Sequence, residues 1–162
     1  MIDVVSATLD DAELVHALTA AAFEQYRDKL QPPTGALSDT VEKVRSGIES
    51  GGALLAWRNG IAIGALQWRA ELSFLYVGRL AVLPSERRSG VGRLLIAHAR
   101  DLARSLGDSA LRVEVREALP TNIAFFEAEG FVRISREPHP RLPTSFFLIL
   151  EMNVSPTSAA AG

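Results

Sequence analysis

The stretch LPSERRSGVGRLLIAHARDLARSLG, residues 83–107, decides how this chain is interpreted. Its second half has apolar residues at helical spacing and ends at Gly107, which predicts a helix of about four turns. The segment ahead of that helix, RRSGVGR at residues 87–93, carries more positive charge and more glycine than a helix cap requires. The junction between strand and helix is therefore a candidate anion-binding site.

The physical case for an anion site rests on backbone N–H groups. A helix that starts after Gly90 leaves its first N–H groups without intrahelical partners, and the helix dipole adds positive potential there. Gly90 and Gly92 let a bulky anion approach the backbone where a Cβ atom would block it. Three side chains offer charge-assisted donors: Arg87, Arg88 and Arg93. We expect the bound anion to be a phosphate, and more specifically a pyrophosphate. The alternative interpretation is a helix start that contains glycine and solvated arginines and binds no ligand.

Two familiar phosphate-binding motifs do not fit this turn. A P-loop ends in Gly-Lys-Ser or Gly-Lys-Thr, which the chain lacks. The dinucleotide-binding fingerprint needs a third glycine and follows the first strand, whereas GVGRLL at residues 90–95 lies in the middle of the chain.

The rest of the chain predicts alternating strands and helices. The predicted elements are a strand over residues 2–8, helices over 9–30 and 38–52, a hairpin over 53–70, a strand over 72–84, the helix of the opening stretch, a strand over 110–117, a helix over 119–131, and strands over 131–137 and 145–154. Asn59–Gly60 predicts the hairpin turn. Ser38 is the expected cap of the second helix, and Thr121 or Asn122 that of the last. We expect a mixed sheet with helices on both faces and a parallel crossover over residues 73–116.

The turn and the last helix together carry a family resemblance. The R-x-x-G-x-G pattern of Arg87, Gly90 and Gly92 follows LAVLP, and NIAFFEAEGF at residues 122–131 comes later in the chain. In order and spacing, these motifs resemble the GNAT superfamily of N-acetyltransferases over residues 53–153. The resemblance implies an α/β fold with a central mixed, mostly antiparallel sheet of about seven strands, one splayed strand pair and about four flanking helices. It implies a single domain over residues 1–154; residues 155–162 are expected to form a mobile tail.

The same resemblance implies acetyl-CoA as co-substrate. Its pyrophosphate would lie on the amides of residues 88–93, and its pantetheine arm would pair with the strand before the turn. Gly78 would supply a bulge that opens this strand edge, unless it is an ordinary strand glycine. The implied cofactor-binding residues are Leu80, Ala81, Val82, Arg87, Arg88, Ser89, Gly90, Val91, Gly92, Arg93, Asn122, Phe125 and Phe126. Asn122 is equally interpreted as a helix cap.

The implied chemistry is direct attack of a substrate amine on the thioester. The family takes its oxyanion donor from a backbone N–H of the strand before the turn, here Val82 or Leu80. The family often has a tyrosine where this chain has Phe126, which cannot donate a proton. Tyr76 is the first substitute to consider, although it also fits a packing aromatic. Glu114 is the second candidate, although it also fits a solvated carboxylate or an ion-pair partner of neighbouring arginines.

Residues outside these motifs suggest where the acceptor binds. Tyr26 and QPPTGAL at residues 31–37 are expected to form part of the acceptor wall, and His139 lies where an acceptor pocket often does. His98 falls on the apolar stripe of its helix and is expected to pack in the core. The acceptor itself is expected to be a small-molecule or peptide amine, and an acyl-CoA-binding module without catalysis is the alternative function.

Composition limits the remaining possibilities. The formal net charge is −2 and cysteine is absent, so we expect neither nucleic acid as a partner nor a cysteine-ligated metal, and no metal cofactor. No apolar run predicts a membrane span or a signal peptide, so the expected location is cytoplasmic, without a membrane partner. The apolar strand SFFLILEM, residues 145–152, suggests a homodimer, with an interior strand as the alternative.

Overall fold

One sheet organises the chain. The protein is represented by a computed structural model that describes residues 1–155. The sheet contains seven strands: β1 (Ile2–Ser6), β2 (Gly52–Arg58), β3 (Ile61–Ala70), β4 (Phe74–Val82), β5 (Ala110–Arg116), β6 (Val132–His139) and β7 (Leu142–Asn153). Their order is β1-β2-β3-β4-β5-β7-β6, and every neighbouring pair is antiparallel except β4 and β5, which are parallel. The expected mixed, mostly antiparallel sheet is confirmed; the expected tail beyond Ser155 lies outside the described residues.

Within residues 1–155, four α-helices flank the sheet: α1 (Ala12–Phe23), α2 (Val41–Ser50), α3 (Val91–Ser105) and α4 (Pro120–Ala128). The first is shorter than predicted, because the chain passes into a 3₁₀ turn at Glu24–Tyr26 and the prolines beyond it cannot continue a helix.

Two predicted helix caps are wrong. The cap of α2 is Thr40, whose side-chain oxygen accepts the N–H of Lys43 at 3.1 Å, because Ser38 already ends a separate 3₁₀ turn. Helix α4 starts after Leu119, so Pro120 is its first residue and Thr121 and Asn122 lie within the helix. Proline suits that position because its fixed φ matches the helix and its missing N–H would be unpaired there anyway.

Each face of the sheet buries its own core. Strand β2 shows this by alternation: Leu54 and Ala56 pack with α3 and α4, whereas Ala53 and Leu55 pack with α1 and α2. The α3 face is the larger of the two and holds Leu95 and Leu111, both fully buried. The sheet is therefore covered on both faces, as the sequence predicts.

An irregularity in β4 shifts which of its residues face α3. Ala65 of β3 pairs with Ala81, and Gln67 pairs with Gly78, so β4 carries one extra residue. The left-handed conformation that absorbs it belongs to Arg79, with φ +52°, and not to the predicted Gly78. Because of the extra residue, β4 presents both odd- and even-numbered side chains to the α3 core: Leu75, Val77, Leu80 and Val82.

Strands β4 and β5 separate soon after they start. They pair only where Phe74–Val77 lies beside Ala110–Val113, although β4 continues to Val82 and β5 to Arg116. The splayed strand pair is thus confirmed.

Strand β7 lies between β5 and β6 in the sheet, and this interior position explains its apolar sequence without a second copy of the chain. The homodimer stays a prediction.

Candidate active site

The splayed strands open a cleft of about 1030 Å³. Its walls come from the far ends of β4 and β5, the start of α3, one side of α4 and the end of α1. Most of the predicted site residues line it: Tyr76, Leu80, Val82, Arg87, Arg88, Gly90, Val91, Gly92, Arg93, Glu114, Asn122, Phe125 and Phe126. Two do not. Ala81 is fully buried on the opposite face of β4, and the Ser89 hydroxyl donates to the carbonyl of Glu86.

The glycine-arginine turn is built around two left-handed residues. Arg88 has φ +64° and Gly90, the N-cap of α3, has φ +87°. Space is open beside Gly90, whereas a Cβ atom on Gly92 would lie 3.3 Å from the Phe125 ring. Within residues 1–155, Leu94 is the first helix residue whose N–H finds a helical acceptor, the Gly90 carbonyl at 3.0 Å. The N–H groups between these two residues therefore face the cleft mouth as free donors.

The arginines of the turn differ in what they contact. Arg87 donates to the carbonyl of Ala22 at 3.0 Å, at the end of α1, and so fastens the turn to that helix. Arg93 lies 3.5 Å from the Glu129 carboxylate, with 76% of its side chain exposed. Arg88 has no ion-pair partner among the described residues. The backbone amides are thus the fixed part of the turn, and the exposed arginines add charge around it.

The cleft-facing edge of β4 has backbone groups without a strand partner. Leu83 donates its N–H to Ile63 of β3 at 3.0 Å. Because successive N–H groups of an extended chain point to opposite sides, the N–H of Val82 points into the splay. This edge is therefore able to pair with an extended ligand, and Val82 N–H is one donor that such a ligand meets.

The structure brings Tyr76 and Glu114 together. The Tyr76 hydroxyl donates to the Glu114 carboxylate at 3.4 Å, and the Arg69 guanidinium lies 3.9 Å above the tyrosine ring. Burial, and then the charge of Glu114, raise the pKa of Tyr76 to about 12. Tyr76 therefore keeps its proton at physiological pH and acts as a hydrogen-bond donor rather than a base. The carboxylate of Glu114 is exposed, because neighbouring Arg112 pairs with Glu151 at 2.6 Å instead.

Phe126 and Asn122 project from α4 with different surroundings. Phe126 is buried and meets Phe125 and Phe131 edge to face, at centroid distances of 5.2 and 5.4 Å. Asn122 accepts a hydrogen bond from the Tyr26 hydroxyl at 3.2 Å. This bond joins the end of α1 to the start of α4 across the cleft, a contact that no local sequence signal indicates.

Residues that the motifs do not indicate form the other end of the cleft. His139 is buried and stacks on Phe147 at 5.3 Å, and the Arg116 guanidinium lies 5.2 Å from the same ring. The Nδ1 atom of His139 accepts the backbone N–H of Arg141 at 3.0 Å. Burial and the charges of Arg116 and Arg141 lower the pKa of His139, which favours its neutral form. Because Nδ1 accepts a hydrogen bond, the neutral ring carries its proton on Nε2. Of the histidines considered from sequence, His139 lines the cleft; His98 does not, and both of its ring nitrogens are buried without a hydrogen-bond partner in the described chain.

The described residues contain no group of three or more His, Cys, Asp or Glu side chains placed to hold a metal ion. Among the helices that the structure describes, none is both long and apolar enough to span a membrane.

Comparison with known proteins gives the family. Residues 13–131 match the acetyltransferase (GNAT) family, and the chain belongs to that family. An IAA acetyltransferase from Azospirillum brasilense is 34% identical over 98 residues, which are 59% of this chain and 64% of that protein. The matched segment thus spans less than two thirds of that relative's length.

Solved structures show the same fold. The ribosomal-protein-S18-alanine N-acetyltransferase of Escherichia coli matches with a TM-score of 0.77 at 20% identity, covering 97% of this chain and 96% of that one. The PaiA N-acetyltransferase of Thermoplasma acidophilum, solved in complex with coenzyme A, matches with a TM-score of 0.78 at 15% identity, covering 94% and 99%. At these identities the likeness shows the fold alone.

Proposed function

We propose that the protein is an acetyl-CoA-dependent N-acetyltransferase that moves the acetyl group to a primary amine by direct attack in a ternary complex. One observation carries the proposal: the turn with free amides and the unpaired edge of β4 line the same cleft. The turn offers fixed donors for a pyrophosphate, and the edge offers backbone groups for an extended pantetheine arm. The family to which the chain belongs supports both assignments.

The residues of the splay suggest how the reaction proceeds. The acceptor ammonium must lose a proton, after which its nitrogen forms a bond to the thioester carbon and the carbon–sulfur bond breaks. The N–H of Val82, with Leu80 as the alternative, stabilises the oxyanion. The exposed carboxylate of Glu114 draws the ammonium proton towards solvent. As the carbon–sulfur bond breaks, the Tyr76 hydroxyl turns from Glu114 and donates its hydrogen bond to the departing sulfur instead. Since Phe126 has no hydroxyl, the sulfur takes its proton from water, and water accepts the second proton that the nitrogen loses as the amide forms.

The acceptor is a small-molecule or peptide amine within this proposal. The names of similar proteins span an IAA acetyltransferase and an enzyme for ribosomal-protein-S18 alanine, so they do not fix one acceptor class. A cytoplasmic location and a homodimer remain predictions of the sequence.

Calorimetric titration of acetyl-CoA tests the site. Gly90→Ala puts a Cβ on a residue with φ +87° at the turn, and Gly107→Ala does the same at φ +81° beyond the far end of α3. Each substitution costs about 1 kcal/mol of backbone strain and meets open space, so the pair is matched. We expect Gly90→Ala to weaken acetyl-CoA binding at least about 10-fold because the amides move, while Gly107→Ala binds like the wild type. Absence of binding to the folded wild type would reject the acetyltransferase assignment.

Phe126 favours a second candidate function. A chain without the usual hydroxyl at this position fits an acyl-CoA-binding module that senses CoA thioesters without turnover. Release of free thiol from acetyl-CoA in the presence of amines separates the two functions: thiol release supports the enzyme, and tight binding without thiol release supports the module.

A further inference from the structure

Arg116, the last residue of β5, is a buried cation without an anionic partner. Only 8% of the residue is exposed, yet no carboxylate of the described chain lies within 4.0 Å of its guanidinium. One nitrogen, Nη2, donates to the backbone carbonyls of Pro32 and Pro33. The other, Nη1, is buried and has no hydrogen-bond partner within residues 1–155. A buried charge in this condition costs stability unless something else compensates it.

The surroundings of Arg116 add positive charge and donors instead of compensation. Burial and the nearby charge of Arg141 lower the pKa of the Arg116 guanidinium. His139, which stacks on the same Phe147 ring, has its Nδ1 occupied by a backbone N–H and so offers Nε2–H as a donor. The carboxylates on either side of Arg116 in the sequence are engaged elsewhere: Glu117 with Arg136 at 2.6 Å and Glu114 with Tyr76.

This cationic end belongs to the same cleft as the acetyl-CoA turn. Arg116, His139 and Arg141 line the cleft together with Leu80 and Val82. Arg116 lies three residues beyond Val113, where the pairing of β4 and β5 ends, which is roughly 10 Å along the strand. Leu80, the alternative oxyanion donor, also lies beyond Val77 on β4, so Arg116 belongs to the splayed part of the sheet in which the reaction is proposed.

From this arrangement we propose that the acceptor is an amine that also carries a carboxylate, such as a free amino acid, and that Arg116 binds the carboxylate with help from Arg141 and His139. Guanidinium pairs with carboxylate in a directed, charge-assisted geometry, so it orients the amine as well as holding it. The inference rests on the proposed function and narrows its acceptor. It disfavours a peptide N-terminus, whose first residue has an amide where a free amino acid has a carboxylate.

Two pools of acceptors test the inference. One contains the L-amino acids and the other their C-terminal amides, which keep the amine and side chain but lack the negative charge. With wild-type protein and acetyl-CoA, we expect the acid pool to release thiol at least about 10-fold faster than the amide pool. Equal rates, or faster turnover of the amides, would overturn the carboxylate assignment while leaving the acetyltransferase function supported.

Variants of Arg116 distinguish a role in binding the acceptor carboxylate from a purely structural role. Arg116→Gln is expected to bring the acid-to-amide ratio close to one, and Arg116→Lys to retain part of it. Arg112→Gln is the matched control, because Arg112 lies on the same strand and face, stacks over Phe74 at 4.1 Å, and is paired with Glu151. It should leave the ratio unchanged. If Arg116→Gln lowers both pools equally, its role is structural and the inference fails.

Two further measurements test the inference if Arg116→Gln does not fold or if the wild type shows no turnover. If Arg116→Gln does not fold, Arg141→Gln changes an exposed residue and should lower the ratio about 3-fold; an unchanged ratio contradicts the inference. If the wild type binds acetyl-CoA but releases no thiol with either pool or with amines that lack a carboxyl group, the proposed function fails on its own. Thermal shift of the CoA-loaded protein then decides the carboxylate site: stabilisation by the acid pool but not the amide pool supports it, and no difference rejects it.

Discussion

The two ends of the cleft are built in different ways. The cofactor end is one continuous segment, a strand end, a turn and a helix start, and its donors are backbone amides fixed by local conformation. The acceptor end combines side chains from β5, the end of β6, the turn between β6 and β7, and β7 itself. The loop after α1 closes this end of the cleft. The conformation of the turn is set mainly by its own residues, whereas the acceptor end exists only after long-range packing. We therefore expect perturbations at the acceptor end to change stability and specificity while acetyl-CoA binding persists.

The largest effect that tests this comparison is expected for Asp39→Asn. Asp39 is buried, and its carboxylate accepts from Arg79 at 2.9 Å and lies 3.0 Å from the Lys43 ammonium, which together hold the loop between α1 and α2. Removing one partner of a largely buried ion pair should lower the free energy of unfolding by about 2 kcal/mol. Denaturant unfolding measures the loss, and calorimetry should show unchanged acetyl-CoA affinity. An equal loss of unfolding free energy and of acetyl-CoA binding free energy would mean that the two ends of the cleft are not independent.

The lowered pKa of Asp39 also predicts that the free energy of unfolding depends on pH. Burial alone would raise the pKa of Asp39, but the hydrogen bonds and charges of Arg79 and Lys43 outweigh it and lower the pKa overall. The unfolded chain then binds more protons than the folded one below the ordinary carboxyl value of about 3.9. The stabilisation is therefore present above about pH 4 and is lost as the pH falls through the folded-state pKa. We expect the stability difference between wild type and Asp39→Asn to shrink as the pH falls below about 4.

Tyr76→Phe tests the middle of the cleft and should have a smaller effect. Removing a hydroxyl that donates in the transition state should lower kcat about 10-fold, with acetyl-CoA affinity intact. Because the pKa of Tyr76 is about 12, its ionisation should not shape the profile of kcat against pH below about pH 11.

Glu114→Gln is the companion variant for that experiment, because the proposed mechanism uses the Glu114 carboxylate as well as the Tyr76 hydroxyl. Glu114→Gln keeps an acceptor for the tyrosine hydroxyl, so it should preserve the orientation of Tyr76 while removing the charge. A kcat for Tyr76→Phe equal to that of the wild type would remove Tyr76 from the mechanism.

What the sequence predicts follows the same division between local and long-range structure. The turn and the hairpin at Asn59–Gly60 can be predicted because each depends on neighbouring residues with special conformations, whereas the splayed pair is expected from the family resemblance. The sequence alone does not predict Thr40 as the cap of α2. Ser38 instead ends a separate 3₁₀ turn, and the hydrophobic periodicity does not reveal that turn. Arg116 is missed as a site residue because alternation places it on a polar strand face, and only the packed loop shows that it is buried.

Tyr26→Phe should have the smallest effect and addresses a hydrogen bond that crosses the cleft. Its hydroxyl donates to Asn122 at 3.2 Å, so it couples the end of α1 to the helix expected to contact the pantetheine arm. Losing one partly buried neutral hydrogen bond should weaken acetyl-CoA binding about 3-fold by calorimetry, with little change in the acid-to-amide preference. Phe23→Leu is the matched control, because it removes the ring that packs edge to face on Tyr26 at 5.7 Å but keeps the hydroxyl. A shift in acceptor preference instead would show that Tyr26 belongs to the acceptor end, as its position in the sequence suggests.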